Sequence, residues 1–151
     1  MSLRFALIGC GAIGTSMLEL LRDDADLSVA AIVVPDVAMP AAREVAARLA
    51  PSAAVVSSVP LAGIDLVVEA AGPAAIEQHV LPSLRRGTPC VVASVGALSA
   101  PGLVDAIERA AATGKTQVQL IAGAIGAIDA LAAARAGGLD LVRYTGRKPP
   151  R

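Results

Sequence analysis

The sequence predicts an α/β protein built on a doubly wound, mostly parallel sheet. Short apolar runs alternate with stretches of helical periodicity, and glycine or proline separates them. The mean hydropathy is +0.66, yet no apolar run reaches the roughly 18 residues of a membrane span. Apolar residues that come in short bursts are typical of strands covered by helices on both faces. A glycine-rich segment directly after the first run adds a strand–turn–helix unit at the start of the chain.

Six of the apolar runs are predicted to be strands. Gly9 ends the first of them, and Pro35 with Asp36 ends the second. Parallel strands that are neighbours in the sheet are joined by right-handed crossovers. The strand order expected for a doubly wound sheet of six strands is 3-2-1-4-5-6. The predicted strands cover residues 3–8, 27–34, 53–56, 64–69, 89–93 and 118–121.

Helices are predicted between these strands from the spacing of their apolar residues. Pro73 suits the first position of a helix because it lacks the N–H that has no partner there. Gly87 and Gly114 are predicted to end the two helices that precede them. The predicted helices run from Gly14 to about residue 23 and over residues 40–50, 74–86, 101–112 and 127–136, while residues 94–98 are predicted to form a loop.

Composition limits the classes of partner. The 13 Lys and Arg residues balance 13 Asp and Glu residues, and Phe5 and Tyr144 are the only aromatic residues, so a nucleic-acid partner is not expected. Cys10 and Cys90 suit a reducing compartment better than a disulfide framework. Without a secretory or membrane segment, the expected location is the cytoplasm. No residue is assigned to a metal.

Residues 9–14 match the pattern G-x-G-x-x-G, between a strand and a helix, as a Rossmann-type dinucleotide site requires. Gly9 permits the tight turn, Gly11 lets the backbone approach a diphosphate, and Gly14 allows the helix to pack closely on the strand. The first amides of the helix point at the anion. The predicted binding residues here are Gly9, Gly11, Ala12, Ile13 and Gly14.

Asp36, at the end of the second strand, is the candidate for choosing between NAD and NADP. An acid in this position binds the ribose 2′-hydroxyl of NAD. Asp36 comes slightly later than the usual spacing of about 20 residues, so an ordinary turn aspartate is the alternative. NAD is favoured and NADP stays open.

Small residues follow the fourth and fifth strands, at the edge where open α/β sheets bind ligands. Ala71 and Gly72 follow the fourth strand, and Ser94 and Val95 follow the fifth. They are predicted to let a nicotinamide ribose lie close to the backbone, although glycine and serine are also ordinary loop residues.

Two ionisable residues are considered for a functional role. His79 is the only histidine, and its place within a helix, away from either strand end, favours a partly exposed helical residue over a general acid or base. Glu69 ends the fourth strand. It could bind a ribose or a substrate amine, and it could equally cap the next helix.

Several segments together resemble the L-aspartate dehydrogenase family over the full length of the chain. The most specific is residues 123–131, Gly-Ala-Ile-Gly-Ala-Ile-Asp-Ala-Leu, followed by Gly137-Gly138-Leu139 and by Arg147-Lys148-Pro149. The resemblance implies a homo-oligomeric enzyme that oxidises L-aspartate to iminoaspartate with NAD or NADP and feeds NAD biosynthesis. It also implies cofactor contacts from the backbone around Gly123 and Ala124.

The resemblance further implies that the family's catalytic histidine lies in a second half, outside these 151 residues. No residue here is therefore predicted to be catalytic, and the 151 residues alone are predicted to be inactive. Residues 1–121 are predicted to be the dinucleotide-binding domain. Residues 122–151, with a helix and a strand near 139–144, are predicted to begin a substrate or dimerisation domain.

Two other functions stay open at this point. One is a stand-alone nucleotide-binding or redox-sensing module that works without catalysis. The other is a different oxidoreductase of the same broad fold, similar to homoserine dehydrogenase.

Overall fold

A computed structural model describes residues 2–121, 128–143 and 145. Six parallel strands form one sheet in the order β3-β2-β1-β4-β5-β6, which confirms the predicted Rossmann-type fold class and strand order. The strands are β1 (Leu3–Ile8), β2 (Leu27–Val33), β3 (Ala54–Val56), β4 (Leu66–Glu69), β5 (Cys90–Val92) and β6 (Val118–Leu120).

Helices connect these strands on both faces of the sheet. They are α1 (Ala12–Leu21), α2 (Met39–Leu49), α3 (Pro73–Ala75), α4 (Leu81–Arg85) and α5 (Leu103–Gly114), and a further helix, α6 (Ile128–Arg135), follows β6 in the chain. Short 3₁₀ turns cover Asp36–Ala38 and Val95–Ser99, so residues 94–98, predicted to be a loop, are partly helical.

Alternate side chains of β1 enter two separate cores. Ala6 and Ile8 belong to the cluster that α3, α4 and α5 cover, whereas Phe5 and Leu7 belong to the cluster under α1 and α2. This period of two is what a strand buried on both faces requires. The parallel pairing of the strands places the carboxyl ends of β1, β2, β4 and β5 together at one edge of the sheet.

The helical connection after β4 is irregular. A π-helical turn over Ile76–Val80 joins α3 to α4, where the sequence predicts one continuous helix. Pro82 explains the irregularity, because it has no N–H for the carbonyl of Gln78 and its ring crowds that carbonyl. As predicted, Pro73 starts the connection, and Gly87 follows its end with φ of 91°.

The end of α5 differs from the sequence prediction. Gly114 is the last residue of the helix, and Lys115 rather than glycine takes the left-handed conformation, with φ of 50°. Glycine is needed at 114 for another reason: a Cβ there would collide with the carbonyl oxygen of Leu84. Close packing of α5 on α4 therefore fixes the position of the glycine.

The chain forms two compact units, residues 1–121 and 122–151. In the second unit, α6 forms close to its predicted place, over Ile128–Arg135. The predicted strand near 139–144 is not formed over residues 139–143, the part of it that the structure describes. No described strand pairs with this segment, and a strand needs a paired neighbour for its backbone hydrogen bonds.

Candidate functional site

The loop after β1 is packed too tightly for side chains at two of its glycines. Gly9 has φ of 96°, and a Cβ there would lie 2.8 Å from the carbonyl oxygen of Ala70. A Cβ on Gly14 would collide with the carbonyl oxygen of Gly9. Gly14 therefore allows α1 to pack closely on the turn after β1, as its spacing predicts. Gly9 in addition allows the loop after β4 to approach.

Gly11 faces open space instead. Nothing lies within 4 Å of a Cβ built on it, and its φ of −79° is open to any residue. Gly11 precedes α1, where no side chain caps the helix, and helix geometry leaves the first amides of α1 without intrahelical partners. Ala12 and Ile13, which carry two of these amides, are exposed. This open cradle of donors fits a diphosphate.

Two cavities adjoin Gly9 at the carboxyl edge of the sheet. One, of about 320 Å³, lies between the loops after β1 and β2 and includes Gly11 and Pro35 in its lining. The other, of about 280 Å³, reaches from Pro35 to Gly72 and also includes Ser57. Together they extend the cradle towards β2 and β3, on the side where Asp36 begins a 3₁₀ turn with an exposed side chain.

His79 lines the second cavity, next to Gln78. It is half-buried, as predicted for a helical residue, but it is not remote from the strand ends, because Ile8 and Val33 line the same cavity. It lies in the π-helical turn, where a regular helix is predicted from the sequence. Pro82 was the sequence feature that could have indicated an irregular turn in this helix.

Burial lowers the pKa of His79 below its usual value of 6.5, because the charged imidazolium is poorly solvated there. The unfolded chain therefore takes up this proton at a higher pH than the folded chain does. Stability should fall as the pH drops through about 6.5, and the fall should stop below the folded-state pKa.

This expectation can be measured by urea unfolding between pH 5.5 and 7. His79 is the only histidine, so replacing it with glutamine should flatten the dependence of stability on pH in this range. An equal slope in His79→Gln would assign the effect to other groups.

Glu69 occupies the centre of the loops after β4 and β5. Its side chain is fully buried. Oε1 accepts hydrogen bonds from the amides of Ala71 and Gly72 and from the hydroxyl of Ser94, each at 2.8 Å, and Oε2 accepts one from the amide of Ser94 at 3.0 Å. Both alternatives from the sequence are therefore wrong: no oxygen is exposed to a ribose or an amine, and the helix after β4 has no side-chain cap.

This network changes what the small residues at the edge offer to a ligand. The amides of Ala71, Gly72 and Ser94 are bonded to Glu69, and the amide of Val95 donates to Ala93 O at 2.9 Å. These four predicted binding residues lie together at the edge as expected, but their amides are committed within the chain. The sequence identified Glu69 as an acid that ends an otherwise apolar strand, but it did not predict these amides as the partners of Glu69.

The two cysteines have different environments. Cys90 is buried in β5, and burial raises the pKa of its thiol to about 12, against a smaller lowering by the Arg86 guanidinium. Cys10 is partly exposed between Gly9 and Gly11. Of these two, only Cys10 is therefore open to thiol reagents in the folded chain.

Gly123 and Ala124, the other predicted cofactor contacts, lie outside the described residues. Within residues 2–121, 128–143 and 145, none of the helices has both the length and the apolar composition needed to cross a membrane. In the same part of the chain, no three His, Cys, Asp or Glu side chains form a group that could hold a metal ion.

Comparison with known families gives a match over most of the chain. The model described as "Homoserine dehydrogenase, NAD binding domain" matches residues 9–120. An L-aspartate dehydrogenase from Ralstonia pickettii is 57% identical over 150 residues, which cover 99% of this chain and 56% of that protein. The chain thus spans little more than half the length of such relatives.

Solved structures share the fold at low sequence identity. Aspartate dehydrogenase from Thermotoga maritima is 20% identical, with a TM-score of 0.63 over 93% of this chain and 61% of that one. The dehydrogenase WlbA from Bordetella pertussis, solved with NADH and UDP-GlcNAcA, is 16% identical, with a TM-score of 0.69 over 91% of this chain and 43% of that one.

Proposed function

The chain belongs to the family of homoserine dehydrogenase NAD-binding domains, and from that premise we propose that it is the coenzyme-binding part of an NAD(P)-dependent L-aspartate dehydrogenase. The observation that carries the proposal is the open cradle at Gly11, set before an uncapped helix between two tightly packed glycines. The identity to L-aspartate dehydrogenases supports aspartate as the substrate.

The dinucleotide is expected to lie across the carboxyl edge of the sheet. Its diphosphate would face Gly11 and the amides of Ala12 and Ile13. The adenosine would lie over β2, where the carboxylate of Asp36 can accept the ribose 2′-hydroxyl. The nicotinamide half would then lie over β4 and β5, beside Gly72 and Ser94.

The exposed Asp36 favours NAD over NADP. A 2′-phosphate near this carboxylate would place two negative charges together, and no basic residue immediately follows it in the 3₁₀ turn Asp36–Ala38. The preference for NAD is therefore part of the proposal.

When bound, the nicotinamide would accept a hydride from the α-carbon of L-aspartate. The residues described here would bind and orient the coenzyme, and none of them is proposed as a catalytic acid or base. His79 lines the cavity that reaches from Pro35 to Gly72, and no part in the reaction is proposed for it. The 151 residues tested alone are expected to bind the coenzyme without turning over aspartate.

Binding is tested by calorimetric titration with NAD, NADP and ADP-ribose. We expect NAD and ADP-ribose to bind and NAD to bind more tightly than NADP. Bound NAD should also slow the alkylation of Cys10, while Cys90 stays unreactive until the chain is unfolded. If neither ADP-ribose nor NAD binds, the proposed function is wrong.

The substrate is tested with the full-length protein, by following NADH formation at 340 nm in the presence of L-aspartate or of L-homoserine. Oxidation of L-aspartate is the expected result. Oxidation of L-homoserine alone would favour the homoserine-dehydrogenase alternative, and binding without any turnover would favour a module without catalysis. Assembly into a homo-oligomer and a cytoplasmic location stay predictions.

A further inference from the structure

We propose that Glu69 turns the Ser94 hydroxyl into a hydrogen-bond acceptor, which recognises the carboxamide NH₂ group of the nicotinamide. The inference rests on the proposed function, because it concerns how the same site reads the coenzyme. Ser94 would be the residue that contacts the ligand, and Glu69 would be a positioning residue that acts through it.

The direction of the bond between these two side chains follows from their chemistry. Ser94 Oγ lies 2.8 Å from Glu69 Oε1, and a carboxylate oxygen can only accept. The single hydroxyl hydrogen of Ser94 must therefore point at Glu69, since turning it away would bring two oxygen lone pairs together. What Ser94 still offers is the remaining acceptor capacity of Oγ.

The direction is fixed because Glu69 itself cannot turn. Its side chain is fully buried, and its two oxygens hold three backbone amides in addition to the hydroxyl. Rotating the carboxylate would break its bonds to these partly buried donors, at a cost of about 1 kcal/mol for each. Ser94, by contrast, is only half-buried, so a ligand can reach it.

The backbone around Ser94 also favours a ligand group that donates hydrogen bonds. The amides of Ala71, Gly72, Ser94 and Val95 are already bonded, so these donors are not offered to a ligand. A ligand group that donates hydrogen bonds suits this edge, and one that only accepts does not. The carboxamide NH₂ of nicotinamide donates, whereas the carboxylate of nicotinic acid only accepts.

The position also suits the nicotinamide. Ser94 follows β5, two strands away from β1 in the sheet order. With strands about 4.8 Å apart, this places the serine roughly 10 Å from the loop that would hold the diphosphate. A ribose and a pyridine ring attached to that diphosphate span such a distance.

The test compares three ligands by calorimetry: NAD, nicotinic acid adenine dinucleotide and ADP-ribose. The second ligand carries a carboxylate in place of the carboxamide, and the third lacks the pyridine ring. The wild-type chain should bind NAD at least tenfold more tightly than nicotinic acid adenine dinucleotide. Ser94→Ala should lose most of that ratio and bind ADP-ribose as before.

Two further variants separate recognition from folding. Ser94→Thr keeps the hydroxyl and should keep the ratio. Glu69→Gln places an NH₂ group against the amide of Ser94, where two donors cannot bond, so the backbone at Ser94 should shift and carry the hydroxyl away from its place. The ratio should fall in this variant while ADP-ribose binding persists.

Equal binding of the two dinucleotides by the wild-type chain would overturn this inference while leaving the proposed function intact. So would an equal loss of all three ligands in Ser94→Ala, because that pattern indicates a purely structural serine. Failure of the wild-type chain to bind any of the three ligands would overturn the proposed function and the inference together.

Discussion

Replacing Gly11 with alanine is expected to leave the chain folded and to weaken NAD binding roughly 100-fold, or about 2.8 kcal/mol. The added methyl group meets no atom of the chain within 4 Å. It occupies the open space in front of α1 instead, where the diphosphate would have to approach the backbone. The loss should therefore appear in binding and not in packing.

The measurement is calorimetric titration with NAD and with ADP-ribose, beside urea unfolding of the same preparations. Both ligands should weaken together, because both carry the diphosphate. Stability should change by less than about 1 kcal/mol, the scale of a substitution at a helix N-cap. Unchanged affinity in Gly11→Ala would mean that the diphosphate does not approach this residue.

Replacing Gly14 with alanine should have the opposite effect and destabilise the fold by about 3 kcal/mol or more. The new Cβ would collide with the carbonyl oxygen of Gly9. Gly9 cannot move away, because its amide donates to Val33 O at 2.9 Å and the backbone of Ala70 packs against it. Relief would require α1 to shift away from β1, which would open the core around Leu18.

Thermal unfolding should show this loss as a decrease in Tm of about 10 °C for a chain of this size. Gly11→Ala is the matched control, since it makes the same chemical change three residues earlier without a collision. A Gly14→Ala variant as stable as the control would show that α1 does not pack on the Gly9 turn as described. NAD binding by Gly14→Ala should weaken as well, because the same turn positions the helix amides.

The strand order and the dinucleotide loop could be predicted because their signals are local. Each strand is a short apolar run with its own boundary residues, and the roles of Gly9, Gly11 and Gly14 follow from their spacing after a strand. The ends of elements were less predictable. Gly114 resembles a helix stop in the sequence, yet it is required by the approach of α4, a neighbour from another part of the chain.

The least predictable parts of the candidate site depend on residues that are distant in sequence. Glu69 meets Ser94 only because β4 and β5 pair in register, with Glu69 opposite Val92. His79 lines a cavity beside β1 and β2 from within a π-helical turn of its helix. Neither relation leaves a periodic pattern in the sequence.

The sequence by itself therefore determined the fold class, the strand order and the place of the diphosphate cradle, because hydrophobic periodicity and glycine spacing act over short segments. Only the tertiary structure decided which groups at the edge can donate and which can accept. That property depends on the pairing of several donors with one buried carboxylate. Such pairing is set by the sheet and not by any single segment.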